Sequence, residues 1–80
     1  MKARRGDPFV VLDRSIWNRV VGLQDGQVSY VLCEINPQEM AAAQKRTKDK
    51  LWAMPTVYLN CGDTICLWPT PDRDYEVEIL

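Results

Sequence analysis

Arg19-Val20-Val21-Gly22-Leu23-Gln24-Asp25-Gly26-Gln27-Val28-Ser29-Tyr30-Val31-Leu32 is the stretch that decides how this chain folds. Two runs rich in valine and leucine flank Asp25-Gly26, a pair that supplies the positive φ angles of a type I′ turn. The twist of that turn suits antiparallel strands. With Asp25-Gly26 as a two-residue loop, Leu23 opposes Val28, Val21 opposes Tyr30 and Arg19 opposes Leu32 on one face. The other face opposes Val20 to Val31 and Ile16 to Ile35. Both faces are partly apolar, which places the hairpin centrally, with one side covered.

The cover follows directly in the chain. Asn36-Pro37-Gln38-Glu39 is a helix start: Asn36 is a favoured N-cap, Pro37 suits the first helical position and Glu39 completes a capping box. The helix is expected to run to Trp52 or Ala53, before Pro55 stops it. At helical spacing Met40, Ala43, Thr47, Leu51 and Met54 form the core stripe. Lys45, Lys48 and Trp52 lie together off that stripe. A second hairpin is expected from Thr56-Val57-Tyr58-Leu59-Asn60 and Thr64-Ile65-Cys66-Leu67-Trp68, turning through Cys61-Gly62-Asp63. Phe9-Val10-Val11-Leu12 reads as a first strand and residues 69–74 as a loop. Tyr75, Val77 and Ile79 alternate with Glu76 and Glu78 in a half-buried last strand. The expected class is α+β: a small antiparallel sheet of five or six short strands, containing two hairpins, packed against one α-helix.

Eighty residues suit one domain, residues 1–80, with residues 1–8 as a flexible N-terminal arm. A content of 46% hydrophobic and 26% charged residues is that of a globular protein. No apolar run approaches the roughly 20 residues that cross a membrane. Met1-Lys2-Ala3-Arg4-Arg5 is basic, but no apolar signal stretch follows it, so the expected location is the cytoplasm. Three cysteines, Cys33, Cys61 and Cys66, suit reduced and buried thiols better than a disulfide framework. With no histidine and no CxxC pair they do not make a zinc site.

The same residue list argues against common catalysis. Without histidine there is no usual general base, and neither a serine nor a cysteine nucleophile has its customary activator. The glycines are too scattered to cradle a phosphate. No cofactor is expected. Asp72, Asp74, Glu76 and Glu78 leave open a metal-assisted nuclease, although Glu76 and Glu78 read more simply as the solvent face of a strand.

Charge gives the better lead. Residues 1–24 carry five Lys/Arg against two Asp, and residues 37–55 four against two acids. Residues 56–80 hold five acids against Arg73 alone. Arg4, Arg5, Arg14 and Arg19 form a basic cluster, and Lys45, Lys48 and Trp52 a basic, aromatic strip suited to anchoring a partner, although Trp52 reads equally well as a cap on the core if the last helical turn frays or rotates. Trp17 and Trp68 admit either an interface or a core role, with burial favoured. An isoelectric point near 5.2 and the acidic last third argue against direct nucleic-acid binding. An acidic C-terminal region suits basic protein surfaces, including those that normally hold nucleic acid. A phage counter-defence inhibitor of the anti-CRISPR kind, acting by nucleic-acid mimicry or steric block, is one such alternative.

The stretch Val11-Leu12-Asp13-Arg14-Ser15-Ile16-Trp17-Asn18-Arg19-Val20-Val21, with the hairpin and the helix from Pro37 to Lys50, resembles small proteins of lytic bacteriophages. In size and layout it is similar to the transcription regulators of phages that infect Xanthomonas. The likeness covers about residues 9–68 and carries no family binding residue onto a numbered position here. It implies a partner in the host RNA polymerase, near the amino-terminal part of the β′ subunit. It also implies inhibited initiation and read-through of terminators, by docking rather than chemistry.

Overall fold

The computed structural model describes residues 2–12, 20–46 and 52–79. Its strands are β1 (Lys2–Ala3), β2 (Phe9–Val11), β3 (Val20–Asp25), β4 (Val28–Val31), β5 (Cys33–Ile35), β6 (Trp52–Ala53), β7 (Val57–Asn60), β8 (Thr64–Trp68), β9 (Thr70–Pro71) and β10 (Tyr75–Ile79). The helix α1 (Pro37–Arg46) lies between β5 and β6. The fold is α+β, but the strands form three sheets rather than one. Their orders are β1-β10-β3-β4, β2-β8-β7-β5 and the pair β6-β9. Two pairings, β5 with β7 and β6 with β9, are parallel.

The two four-stranded sheets face one another across a single core. Alternation along β8 sends Ile65 and Leu67 inward, and along β10 Tyr75 and Val77. Ala3, Val10, Leu12, Val20, Leu23, Leu32 and Tyr58 complete the cluster. A sheet of five or six strands would leave half of these side chains to one helix. Splitting it lets each sheet bury the other's inner face. Leu32 alone separates β4 from β5, so the chain passes from one sheet to the other at this buried residue. The Tyr58 hydroxyl on β7 lies 3.2 Å from both the Val20 carbonyl oxygen on β3 and Glu34 Oε1, to which it donates its proton. The contact with the Val20 carbonyl ties the two sheets together, whereas Glu34 lies on β5 in Tyr58's own sheet. Lys2–Ala3, in the stretch expected to form an arm, pairs with β10, and Ala3 is fully buried.

The first hairpin forms in a different register. Asp25 pairs with Val28 and Leu23 with Tyr30, leaving Gly26-Gln27 as the loop. Gly26 has φ +62°, and no described non-glycine residue has positive φ. This is the type II′ pattern, with glycine first. It spares Asp25 the left-handed conformation that a type I′ turn would impose on it. Val31 consequently opposes Gly22, and Val20 opposes Ile79 of β10. A Cβ on Gly22 would collide with the Tyr30 carbonyl oxygen, so glycine is what lets β4 lie this close. The expected Arg19–Leu32 and Ile16–Ile35 pairs fall on residues 13–19, outside the described residues.

The helix begins as its sequence dictates. The Glu39 amide donates to Asn36 Oδ1 at 2.8 Å and the Asn36 amide to Glu39 Oε1 at 3.2 Å, a reciprocal capping box. Its far end corrects the expectation. Trp52 and Ala53 are extended and pair with Thr70 and Pro71, so the segment read as a loop holds a strand. Pro55 already disfavours helical geometry at Met54, and the parallel pairing extends the straightened segment back to Trp52. Met40 is buried and Ala43 half-buried, as the core stripe requires. Met54 reaches the core from outside the helix, and Thr47 and Leu51 lie outside the described residues. The second hairpin and the last strand form as expected, with Gly62 at φ +86° in the turn.

Candidate functional site

The outward face of the β2-β8-β7-β5 sheet is apolar where a solvent face would ordinarily be polar. Cross-strand register lays Phe9, Cys66, Leu59 and Ile35 in one row, and Trp68, Val57 and Cys33 in the next. Helix α1 crosses this face against β7 and β8. It leaves a groove of about 390 Å³ beside it, lined by Ala43, Arg46, Ala53, Met54, Thr56, Val57, Trp68 and Pro69. Beyond the helix the apolar row continues to the sheet edge, where Phe9 and Val11 are 58% and 73% exposed. Exposed apolar surface on the face that holds a groove is a usual mark of an interaction site.

The groove's backbone is largely engaged. The Thr56 amide donates to the Trp68 carbonyl at 2.9 Å, and the Thr56 carbonyl accepts from Cys33 at 3.2 Å. The Ala53 carbonyl accepts from the Asp72 amide at 3.2 Å. Among the described lining residues, what remains for a ligand is mostly apolar surface, the Thr56 hydroxyl and the Arg46 guanidinium, with exposed Lys45 next to Arg46 in the last turn of the helix.

A second feature lies on the other side of the β6-β9 ribbon, since Trp52 and Ala53 point to opposite faces of it. The Arg5 guanidinium stacks over the Trp52 ring, 5.0 Å from its centroid, while the ring stays 49% exposed. The chain turns beneath it at Gly6, φ +78°, whose amide donates to the Pro71 carbonyl at 2.8 Å. The Arg5 amide donates to Asp74 Oδ1 at 2.9 Å.

Compared with known proteins, the chain matches no protein-family model, no curated protein and no solved structure.

Among the residues expected to bind a partner, the structure brings Arg5 and Trp52 together and leaves Arg4 and Lys45 exposed. It does not put Lys45 and Trp52 on one helical strip, because Trp52 belongs to β6. Arg14, Trp17, Arg19 and Lys48 lie outside the described residues. Trp68 is half-buried, as the wall of the groove rather than part of the inner core. The groove residues Arg46, Ala53, Val57 and Pro69 are not among those expected to bind a partner, and Met54 is expected only on the core stripe of the helix. The available signal was the alternation of Val57 and Leu59 against buried Tyr58, which makes the second face of β7 apolar as well.

The acidic third is tied into the fold. Asp25 Oδ2 pairs with Arg73 at 3.0 Å, and Asp72 Oδ1 accepts the Tyr75 hydroxyl at 2.6 Å. Burial, followed by the bond to Asp72, pushes the Tyr75 hydroxyl up to about 12. Glu76 lies between Lys2 and Gln24 on the outer face of its sheet. Among the described residues no group of three or more acidic or sulfur ligands converges on a point. No described helix is long and apolar enough to cross a membrane.

The cysteines are free thiols, but the expectation of burial fails for two of them. Cys33 and Cys61 are exposed, because one sits on the outward face of β5 and the other opens the second turn. Cys66 is half-buried, and its surroundings, with Cys61 nearby, raise its pKa above the ordinary thiol value.

Proposed function

We propose that this chain is a non-enzymatic regulatory protein that docks on a protein partner through the groove between α1 and the outward face of β7 and β8. The observation that carries this reading is the apolar groove of about 390 Å³, rimmed by Arg46, on the same sheet face that exposes Phe9 and Val11 at its edge. A partner side chain entering it would bury apolar surface against Met54, Val57 and Trp68, while Arg46 at the rim, with Lys45 on the same helical turn, steers charge. Arg5 stacked on Trp52 supplies a second anchor of the residue types that dominate binding hot spots.

The partner we propose is bacterial RNA polymerase, on the strength of the resemblance to phage transcription regulators. The expected effects are inhibited initiation and antitermination, through steric contact in the host cytoplasm. Nucleic-acid mimicry draws less support, because Asp25, Asp72 and Asp74 are engaged by Arg73, Tyr75 and the Arg5 amide. A metal-assisted nuclease draws less support as well, because among the described residues no group of three or more acidic or sulfur ligands converges on a point. The test is a pull-down of purified bacterial polymerase on the tagged chain, followed by promoter-dependent transcription across a terminator. Retention of the polymerase with altered initiation or read-through is expected. Absence of every polymerase subunit from the eluate would end this reading.

A further inference from the structure

Resting on the assignment of the groove as a docking site, we infer that its occupant is a short acidic segment carrying one apolar anchor side chain. Charge complementarity selects this occupant. Among the described lining residues none is Asp or Glu, and Arg46 is the one charged group. Lys45 is adjacent on the same last helical turn. Among the described residues the ion pairs belong to Arg73, which joins Asp25 and Asp72, so Arg46 and Lys45 take no part in them. The floor is apolar, with the Thr56 amide and carbonyl and the Ala53 carbonyl already bonded, so the polar selection falls to the rim.

An aliphatic or aromatic side chain fits that floor. Carboxylates on either side of it would meet a guanidinium able to bind them in bidentate fashion. A basic segment would instead bring like charges together at the rim, and an uncharged one would leave Arg46 without a counter-charge as solvent withdraws. The recognition is therefore of sign as well as shape.

The experiment titrates the purified full chain with capped synthetic peptides, followed by calorimetry. One peptide has a central leucine flanked by Asp and Glu, the second replaces those acids with lysine, and the third keeps the acids but replaces leucine with glycine. We expect the acidic leucine peptide to bind at least tenfold tighter than either of the others, and to weaken as salt is raised. Arg46→Glu should cost that peptide about tenfold or more, with Arg46→Gln intermediate. Lys2→Glu, the same charge change on the other sheet, should leave its affinity within about twofold. Equal affinity for acidic and basic peptides, no saturable binding, or indifference to both Arg46 variants overturns the inference. Because no polymerase is present, polymerase capture can survive this failure. Peptide binding can likewise survive a failed polymerase pull-down.

Discussion

Replacing Gly6 with alanine probes how the N-terminal turn holds Trp52. Gly6 sits at φ +78°, where an L side chain pays a left-handed penalty of about 1–2 kcal/mol. A Cβ placed there would also lie 3.2 Å from both Cη2 and Cζ2 of Trp52. That contact is tight by a few tenths of an ångström, but the ring is half exposed and free to yield, so the backbone term dominates. For a domain of this size about 1 kcal/mol moves the melting temperature by roughly 4–8 °C, so Gly6→Ala should lower it by about 4–16 °C. The assay is a double-mutant cycle with Trp52→Ala by thermal or urea denaturation. If φ dominates, Gly6→Ala costs nearly the same with and without the ring, a coupling under about 0.5 kcal/mol. A cost that vanishes in the Trp52→Ala background would refute this reasoning and assign the effect to the ring contact. An unchanged melting temperature in the single variant would refute the turn geometry itself.

Other substitutions separate other forces. Gly22→Ala drives a Cβ into the backbone oxygen of Tyr30, which cannot swing aside. It should cost about 3 kcal/mol or more by denaturation, clearly above Gly26→Ala, where space is open and only the positive φ is strained. Tyr75 has its hydroxyl pKa raised from 10.0 to about 12, so it favours folding fully below pH 10 and loses that contribution as pH climbs toward 12. The stability difference between the chain and Tyr75→Phe, about 1–3 kcal/mol at neutral pH, should therefore shrink over that window. A difference that grows with pH would reverse the sign. With iodoacetamide and mass spectrometry at pH 8, exposed Cys33 and Cys61 should be alkylated before Cys66, whose thiolate is disfavoured by burial.

What the sequence makes legible is the local chemistry. Asn36 with Glu39, Gly62 between two strand-like runs, and the alternation from Tyr75 to Ile79 each act within a few residues, and each forms as read. Asp25-Gly26 marks the right hairpin, but whether Asp25 sits in the loop or in the ladder depends on which turn type strains it less. The division into two sheets turns on Leu32 being buried where the chain changes sheet, and on parallel pairing of β5 with β7. These contacts join segments distant in the chain and leave no local mark. The candidate site is similar. Arg5 and Trp52 are each conspicuous in the sequence, but their stacking follows from β6 pairing with β9, and so does the groove wall at Ala53 and Pro69. Expecting a longer helix put Trp52 on the wrong element.

The central claim is that the groove beside α1 binds the partner. Its most direct test is retention of purified bacterial RNA polymerase by the immobilised chain, compared with Ala43→Leu, which fills the groove, and Arg46→Glu, which reverses its rim charge. The proposal predicts strong retention by the unmodified chain and a loss of roughly tenfold in affinity in each variant, with melting temperatures close to the parent. Equal retention by all three proteins would contradict it.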